Sequence, residues 1–151
     1  MAIASRLKWF LDVNRVQYEV LPDAPTKKAV PDGQRVVSRL FHDARGYVMV
    51  VHSASHQIAM PALEQIAGRP LHAARDSEAR DIFFDCQKGM IPPLGPAYGI
   101  PTIVDDSLLV DGDVYFSAGA ASDCVHMNAA AFQGLIADAP HGAVTQVAKS
   151  A

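Results

Sequence analysis

The chain has 151 residues, which is the length of one domain, and half of them are hydrophobic while 19% are charged, so it is not an intrinsically disordered protein. Its net charge of −3 excludes the basic excess that a protein needs to wrap long nucleic acid. No apolar run approaches the roughly 18 residues of a membrane span, and charged residues interrupt the apolar N-terminus, so we expect neither a membrane anchor nor a signal peptide. The two cysteines make no disulfide framework, which favours reduced thiols and a cytoplasmic location.

The first half of the chain predicts one helix followed by strands. Apolar residues recur at helical spacing between residues 2 and 13, which is typical of a helix with one buried face. A short strand, Tyr18–Leu21, follows, and the Pro-Asp-Gly turn signal within residues 26–34 indicates a surface loop. The nearly continuous apolar segments 35–42 and 46–52 predict a central β-hairpin.

The second half predicts short helices between further strands. Helices are expected over residues 61–67, 76–81 and 129–137. Strands interleaved with short helices indicate a single α+β domain, with a mixed, mostly antiparallel β-sheet or partial barrel flanked by the helices. We assign residues 1–140 to this domain and expect residues 141–151 to form a flexible tail.

A proline-braced loop forms the first part of a glycine-rich and proline-rich segment. Gly89 can adopt positive φ, while Pro92 and Pro93 fix their own φ and hold the preceding residue extended. The loop is therefore stiff, and the main-chain N–H groups of Gly89, Met90 and Ile91 can point at a carbonyl or a phosphate. On the residues alone, an ordinary turn explains the loop equally well.

A second small-residue loop follows about 25 residues later. Asp111-Gly112 lies between the apolar runs 108–110 and 113–116, and this dipeptide favours the type I′ turn of a β-hairpin. The hairpin is expected to end in the small residues Ser117-Ala118-Gly119. The sequence thus predicts two glycine loops joined by a β-ribbon.

An ordered series of motifs runs from residue 85 to residue 119: Asp85-Cys86, Gly89-x-Ile91-Pro92-Pro93-x-Gly95, Tyr98-Gly99-x-Pro101, Val104-Asp105, Val114-Tyr115-Phe116 and Ala118-Gly119. Together these motifs resemble the YbaK/prolyl-tRNA synthetase-associated domain, and the resemblance extends over most of the chain. Members of that family are aminoacyl-tRNA deacylases, either free-standing or inserted in a synthetase, which hydrolyse mischarged tRNA. The resemblance therefore implies the family fold, the acceptor end of an aminoacyl-tRNA as partner, and no cofactor.

The resemblance also implies a pocket between the two glycine loops. An aminoacyl ester is already activated, so its hydrolysis needs mainly a positioned water and donors for the developing oxyanion. The expected donors are the main-chain groups of Gly89, Met90, Ile91 and Gly119, with the terminal adenosine against the first loop. The substrate-binding residues implied by the resemblance are Arg39, Lys88, Pro92, Pro93, Gly95, Tyr98, Gly99, Ala118 and His56.

The chain departs from the family pattern at a lysine on the strand before the central hairpin turn. That position falls on Ser38 or within one residue of it, and Arg39 would point to the opposite face of the strand. Lys88, Lys27 or Lys28 could supply the charge from a loop, although solvated side chains explain them better. The family's early histidine is replaced by Asp23, and no histidine occurs within residues 120–123, directly after the second loop.

Two hypotheses about function remain open from the sequence. The first is a trans-editing deacylase that hydrolyses the ester of a mischarged tRNA with water as the nucleophile. The second is a catalytically impaired module that binds an aminoacyl or nucleotide-like ligand and acts through a fused or separate partner domain. A smaller acyl ester is a minor third possibility for the substrate.

Metal-dependent and thiol-dependent chemistry are not expected. His52 and His56 are four residues apart, but they lie at the end of a strand and no Cys or carboxylate completes a ligand set at a familiar spacing. Cys86 lacks an evident base, so we interpret it as a packed thiol.

Overall fold

The computed structural model describes residues 3–22, 30–109, 111–120 and 123–147. Four helices and ten strands are found in this part of the chain. The helices are α1 Ser5–Val13, α2 Met60–Ala67, α3 Asp76–Ile82 and α4 Ala129–Leu135. The strands are β1 Tyr18–Leu21, β2 Val36–Asp43, β3 Gly46–Ser53, β4 His56–Ile58, β5 His72–Ala73, β6 Thr102–Asp105, β7 Asp113–Ser117, β8 Cys124–Asn128, β9 His141–Gly142 and β10 Thr145–Val147.

The central sheet has five strands in the order β5-β2-β3-β6-β9. The predicted hairpin is its centre, since β2 and β3 pair antiparallel from Val36↔Ser53 to Asp43↔Gly46. Strand β6 is parallel to β3, and β9 is parallel to β6. The side chains of β3 pack on both faces of the sheet, and Met49, Val50 and Val51 are fully buried.

Two smaller sheets complete the domain. One has the antiparallel order β1-β8-β7, and the other pairs β10 with β4. The inner face of the three-stranded sheet packs Phe116 and Val125 into the main core, together with Phe132 of α4. The result is a single α+β domain with mixed sheets that do not close into a barrel, as the sequence predicts.

The hairpin predicted around Asp111-Gly112 is wrong. Strand β7 follows this turn, but it pairs antiparallel with β8 and not with the residues before the turn. Those preceding residues begin with a 3-10 turn over Asp106–Leu108, where the Asp105 side chain accepts a hydrogen bond from the Ser107 amide at 3.0 Å. The hairpin of this region therefore turns between Ser117 and Cys124, one connection later than predicted.

The structure also corrects the expectation of a flexible tail, for residues 141–147. Strand β9 pairs with β6, and β10 pairs with β4. The carboxylate of Asp105 holds this segment, because it accepts hydrogen bonds from the Val144 amide at 2.8 Å and the Thr145 hydroxyl at 2.7 Å. The predicted loop over residues 26–34 lies partly outside the described residues, as do Asp23, Lys27 and Lys28.

Candidate active site

A cavity of about 400 Å³ lies between the start of β2, the loop before Pro92, and the β7–β8 hairpin. This volume is within the range of small-molecule sites, about 300–1,000 Å³. Its walls bring together Ser38, Gly89, Met90 and Ile91, four of the five residues that the sequence predicts to be catalytic. The structure thus places the proline-braced loop opposite the strand that carries the departure from the family pattern.

The loop presents part of its main chain to this cavity. Gly89 has φ of +77°, and an added Cβ would meet no atom within 4 Å, so the backbone conformation and not crowding requires glycine here. The Met90 amide is already engaged, because it donates to the Gln87 carbonyl at 3.0 Å. The Gly89 and Ile91 amides have no hydrogen-bond acceptor among the described residues. Two of the three predicted donors are therefore available to a ligand.

The edge of β2 offers a third main-chain donor. On the edge of β2 that faces away from β3, the Leu40 carbonyl accepts a hydrogen bond from the Ala74 amide at 2.9 Å. Hydrogen-bonding direction alternates along an antiparallel strand, so the N–H and C=O of Ser38 face the same edge. Among the described residues, no strand pairs with β2 there at Ser38, and the cavity lies against this open stretch.

The Ser38 and Arg39 side chains take opposite directions, as the strand alternation predicts. The Ser38 hydroxyl is 3.5 Å from the Ile91 carbonyl and lines the cavity. Arg39 is exposed and does not belong to the cavity wall. Of these two neighbours, only Ser38 can act on a ligand in the cavity.

The second glycine loop supports the first loop and does not offer a donor. The Gly119 amide donates to the Ser117 hydroxyl at 3.1 Å, and its carbonyl accepts from the Gln87 amide at 2.8 Å. A Cβ at Gly119 would lie 2.8 Å from the Cβ of Ala4 and 2.9 Å from the sulfur of Cys86. Glycine is required here because the two loops pack together. The Gly119 N–H is already engaged by Ser117, so it is not available as the oxyanion donor that the sequence predicts.

A polar cluster fixes the loop from behind. The Tyr98 hydroxyl donates to Asp85 Oδ1 at 2.8 Å, and Asp85 Oδ2 accepts from the Arg6 amide at 2.8 Å. The Cys86 sulfur lies 3.3 Å from the Tyr98 hydroxyl oxygen. Burial raises the pKa of the Cys86 thiol to about 12, so this thiol stays protonated and is not a nucleophile. Tyr98 therefore positions the loop and does not contact a ligand in the cavity.

The remaining predicted binding residues lie outside the cavity wall. Lys88 is exposed and lines a separate small cavity of about 50 Å³, which Gly89 and Ile91 also line. Gly99 has φ of +70° and lines a separate cavity of about 540 Å³ next to α2. That cavity is larger, but the smaller one contains the predicted loop and the open strand edge, so we treat the smaller as the site. The other predicted residues are buried in the packing or belong to other strands: Pro92, Pro93, Gly95, Ala118 and His56.

The sequence interpretation missed the charged and aromatic part of the wall. Arg35, Tyr115 and Asp123 line the cavity, as does Cys124. Burial raises the pKa of the Cys124 thiol, while the nearby charge of Arg35 acts in the opposite direction. Arg35 and Tyr115 form an isolated parallel β-bridge, and this main-chain contact brings the two distant segments together. No local pattern in the sequence marks that pairing.

The described ranges contain no group of three His, Cys, Asp or Glu side chains that could hold a metal ion. Within the same ranges, none of the helices is both long enough and apolar enough to cross a membrane.

The fold and the cavity define a small α+β domain that offers main-chain donors to a bound group. The family model of the aminoacyl-tRNA editing domain matches residues 20–135. This match covers well over half of the chain, and the chain belongs to that family. No curated protein sequence is significantly similar to the chain.

Solved structures share this fold. One is a protein proposed to be a trans-editing enzyme for prolyl-tRNA synthetase, with 21% identity, a TM-score of 0.78, and coverage of 95% of this chain and 96% of that chain. Another is a proposed signal-transduction protein from Marinobacter aquaeolei VT8, with 19% identity and a TM-score of 0.80. The match covers 95% of this chain but only 31% of that protein. At these identities the likeness shows the fold alone.

Proposed function

We propose that this protein is a trans-acting aminoacyl-tRNA deacylase that hydrolyses the ester of a mischarged tRNA, working in the cytoplasm. The observation that carries the proposal is the cavity in which the Gly89 and Ile91 amides and the open edge of β2 at Ser38 meet. Membership of the editing-domain family supports aminoacyl-tRNA as the substrate class. The partner is the acceptor end, because a protein of net charge −3 has little basis for holding a long nucleic acid.

The reaction requires little from ionisable side chains. Water attacks the ester carbonyl carbon, the bond from that carbon to the ribose oxygen breaks, and a proton from the water ends on the ribose hydroxyl. The amino acid leaves as its carboxylate, and a second proton goes to solvent. The amides of Gly89 and Ile91, with the main-chain N–H of Ser38, are the donors for the oxyanion that develops on the carbonyl oxygen.

The Ser38 hydroxyl orients the attacking water. It lies on the cavity wall 3.5 Å from the Ile91 carbonyl, within reach of a bound water. The wall offers no better nucleophile, because burial raises the pKa of the Cys124 thiol and keeps it protonated. Without a charged group at Ser38, catalysis rests on positioning and on main-chain donors.

The test is release of amino acid from a panel of mischarged tRNAs. The wild-type protein should release at least one amino acid faster than buffer, and Gly89→Val should abolish that release, because a β-branched residue at positive φ displaces the loop amides. Gly68→Val is the matched control, since Gly68 also has a positive φ, +75°, and a Cβ there would meet no atom within 4 Å. Gly68 lies at the end of α2 and does not line the cavity. Circular dichroism should show that both variants remain folded. If no tRNA is deacylated although a ligand binds, the protein is a binding module and not an enzyme.

A further inference from the structure

A row of paired side chains runs across the outer face of the three-stranded sheet and ends at the cavity. Glu19 of β1 is in register with His126 of β8, and His126 is in register with Tyr115 of β7. Tyr115 in turn bridges to Arg35, which directly precedes β2. Side chains at directly paired positions project to the same face of a sheet. The row therefore leads from the solvent-exposed sheet face into the cavity wall, where Tyr115 and Arg35 lie.

The Tyr115 ring is a fixed aromatic surface. The His126 ring stacks on it with centroids 4.6 Å apart and planes inclined by 8°. Two carboxylates lie near His126, with Asp113 3.3 Å from Nε2 and Glu19 3.6 Å from Nδ1. His126 covers one face of the Tyr115 ring, and Tyr115 and Arg35 line the cavity while His126 does not.

Arg35 gives this part of the wall a positive charge. Among the described residues that line the cavity it is the one cation, and Asp123 is the one carboxylate. A guanidinium group binds phosphate through parallel hydrogen bonds and keeps its charge at all physiological pH values. An aromatic face beside such a group is the combination with which proteins hold unpaired nucleotides, since the base stacks and the phosphate pairs with the cation.

We propose that Tyr115 and Arg35 form the subsite for the 3′-terminal nucleotide of the substrate, with the base stacked on Tyr115 and the phosphate paired with Arg35. The inference rests on the proposed function, and it places the nucleotide and the acyl ester in two separate parts of the cavity. Arg35 and Ser38 are three residues apart along an extended segment, about 10 Å, so the acyl ester at Ser38, Gly89 and Ile91 is bound at a separate place. The nucleotide lies on the β7 wall and not against the proline-braced loop, where the sequence places it.

The experiment compares two esters that carry the same acyl group, one on the ribose of adenosine 5′-monophosphate and one on ethanol. Tyr115→Ala should raise KM for the nucleotide ester about tenfold, which is the scale of one lost stacking contact. Arg35→Gln should raise it about tenfold through loss of the charge-assisted pairing with phosphate. Both variants should leave kcat and the hydrolysis of the ethyl ester unchanged. Tyr115→Phe keeps the ring and should restore the wild-type KM. Arg45→Gln removes a cation at the exposed β2–β3 turn, away from the cavity, and is the charge control.

The outcomes separate this inference from the proposed function. If the variants slow both esters equally, or neither, the subsite is wrong while the deacylase stands. If the wild-type protein hydrolyses neither ester, equilibrium binding of adenosine 5′-monophosphate decides the subsite by itself. Binding that falls about tenfold in Tyr115→Ala supports the subsite without the enzyme, and no binding to the wild-type protein overturns it.

Discussion

Two polar positions on the central sheet differ in how completely their hydrogen bonds are made. Asp105, at the end of β6, is only 2% exposed and accepts from the Ser107 amide, the Val144 amide and the Thr145 hydroxyl. Ser38, on the open edge of β2, has only a 3.5 Å contact from its hydroxyl to the Ile91 carbonyl. Buried polar groups are normally satisfied within the protein, as at Asp105. At Ser38 no strand pairs with the main-chain N–H and C=O on the edge of β2 that faces the cavity, so a substrate can form these hydrogen bonds.

The largest effect on stability is expected at Asp105. Asp105→Ala leaves the buried Val144 amide, the partly buried Ser107 amide and the Thr145 hydroxyl without their acceptor. Each unsatisfied group costs about 1–3 kcal/mol, so the free energy of unfolding should fall by about 4 kcal/mol. Ser38→Ala removes only a long contact at the cavity and should change it by less than about 0.5 kcal/mol. Urea unfolding of the two variants measures both values. Equal losses would show that the two positions do not differ as the structure indicates.

Two glycines of the same segment extend the comparison. At Gly95 an added Cβ would collide with the Thr102 hydroxyl and lie 2.8 Å from the Ile100 carbonyl oxygen, so Gly95→Ala should destabilise by about 3 kcal/mol through overpacking. At Gly89 the space is open and only the positive φ opposes a side chain, so Gly89→Ala should cost about 1 kcal/mol.

Activity should follow the opposite order. Gly89→Ala should reduce deacylation per folded molecule more than Gly95→Ala does, because only Gly89 belongs to the cavity wall. Thermal unfolding and single-turnover release of amino acid, measured on the same samples, check the two orders. If Gly95→Ala lowers both thermal stability and deacylation more than Gly89→Ala does, Gly89 has no role in activity beyond its contribution to stability.

Local sequence patterns predict those parts of the fold that depend on neighbours in the chain. The two apolar runs with a short turn between them predict the β2–β3 hairpin, and glycine with two prolines predicts the loop over residues 88–93. Asp111-Gly112 misleads, because its turn signal is genuine but the strand after it finds a better partner in β8 than in the segment before it. The register of β7 with β8 is decided by burial of Phe116 and Val125, which pair directly across the two strands and pack into the main core.

The same limit applies to the site. Gly89 and Ile91, which line the cavity, are predicted from the sequence because a loop motif carries them, and Ser38 is predicted because the family resemblance marks its strand position. Arg35 and Tyr115 are not, since their contact joins segments 80 residues apart in the chain. Residues 141–147 look unstructured by composition, yet pairing with β6 and β4 and hydrogen bonds to the buried carboxylate of Asp105 hold them against the sheet.

The smallest expected effect is a difference between Asp105 and Ser38 in how the free energy of unfolding depends on pH. Burial alone would raise the pKa of Asp105, but the hydrogen bonds from Ser107, Thr145 and Val144 outweigh it and lower the pKa below its usual value. The ionised carboxylate therefore stabilises the native state fully above the unfolded-state pKa of about 3.9, and this contribution is lost as the pH falls through the lower folded-state pKa.

Asp105→Asn removes the titration and keeps the shape of the side chain. The difference in free energy of unfolding between wild type and Asp105→Asn should be constant above about pH 5 and shrink below about pH 4. Ser38→Ala should show a constant difference throughout, since Ser38 does not titrate in this range. Urea unfolding at intervals from about pH 3 to pH 7 gives both curves. A wild-type advantage over Asp105→Asn that stays the same down to about pH 3 would mean that the hydrogen bonds do not favour the ionised form, and the contrast with Ser38 would then rest on geometry alone.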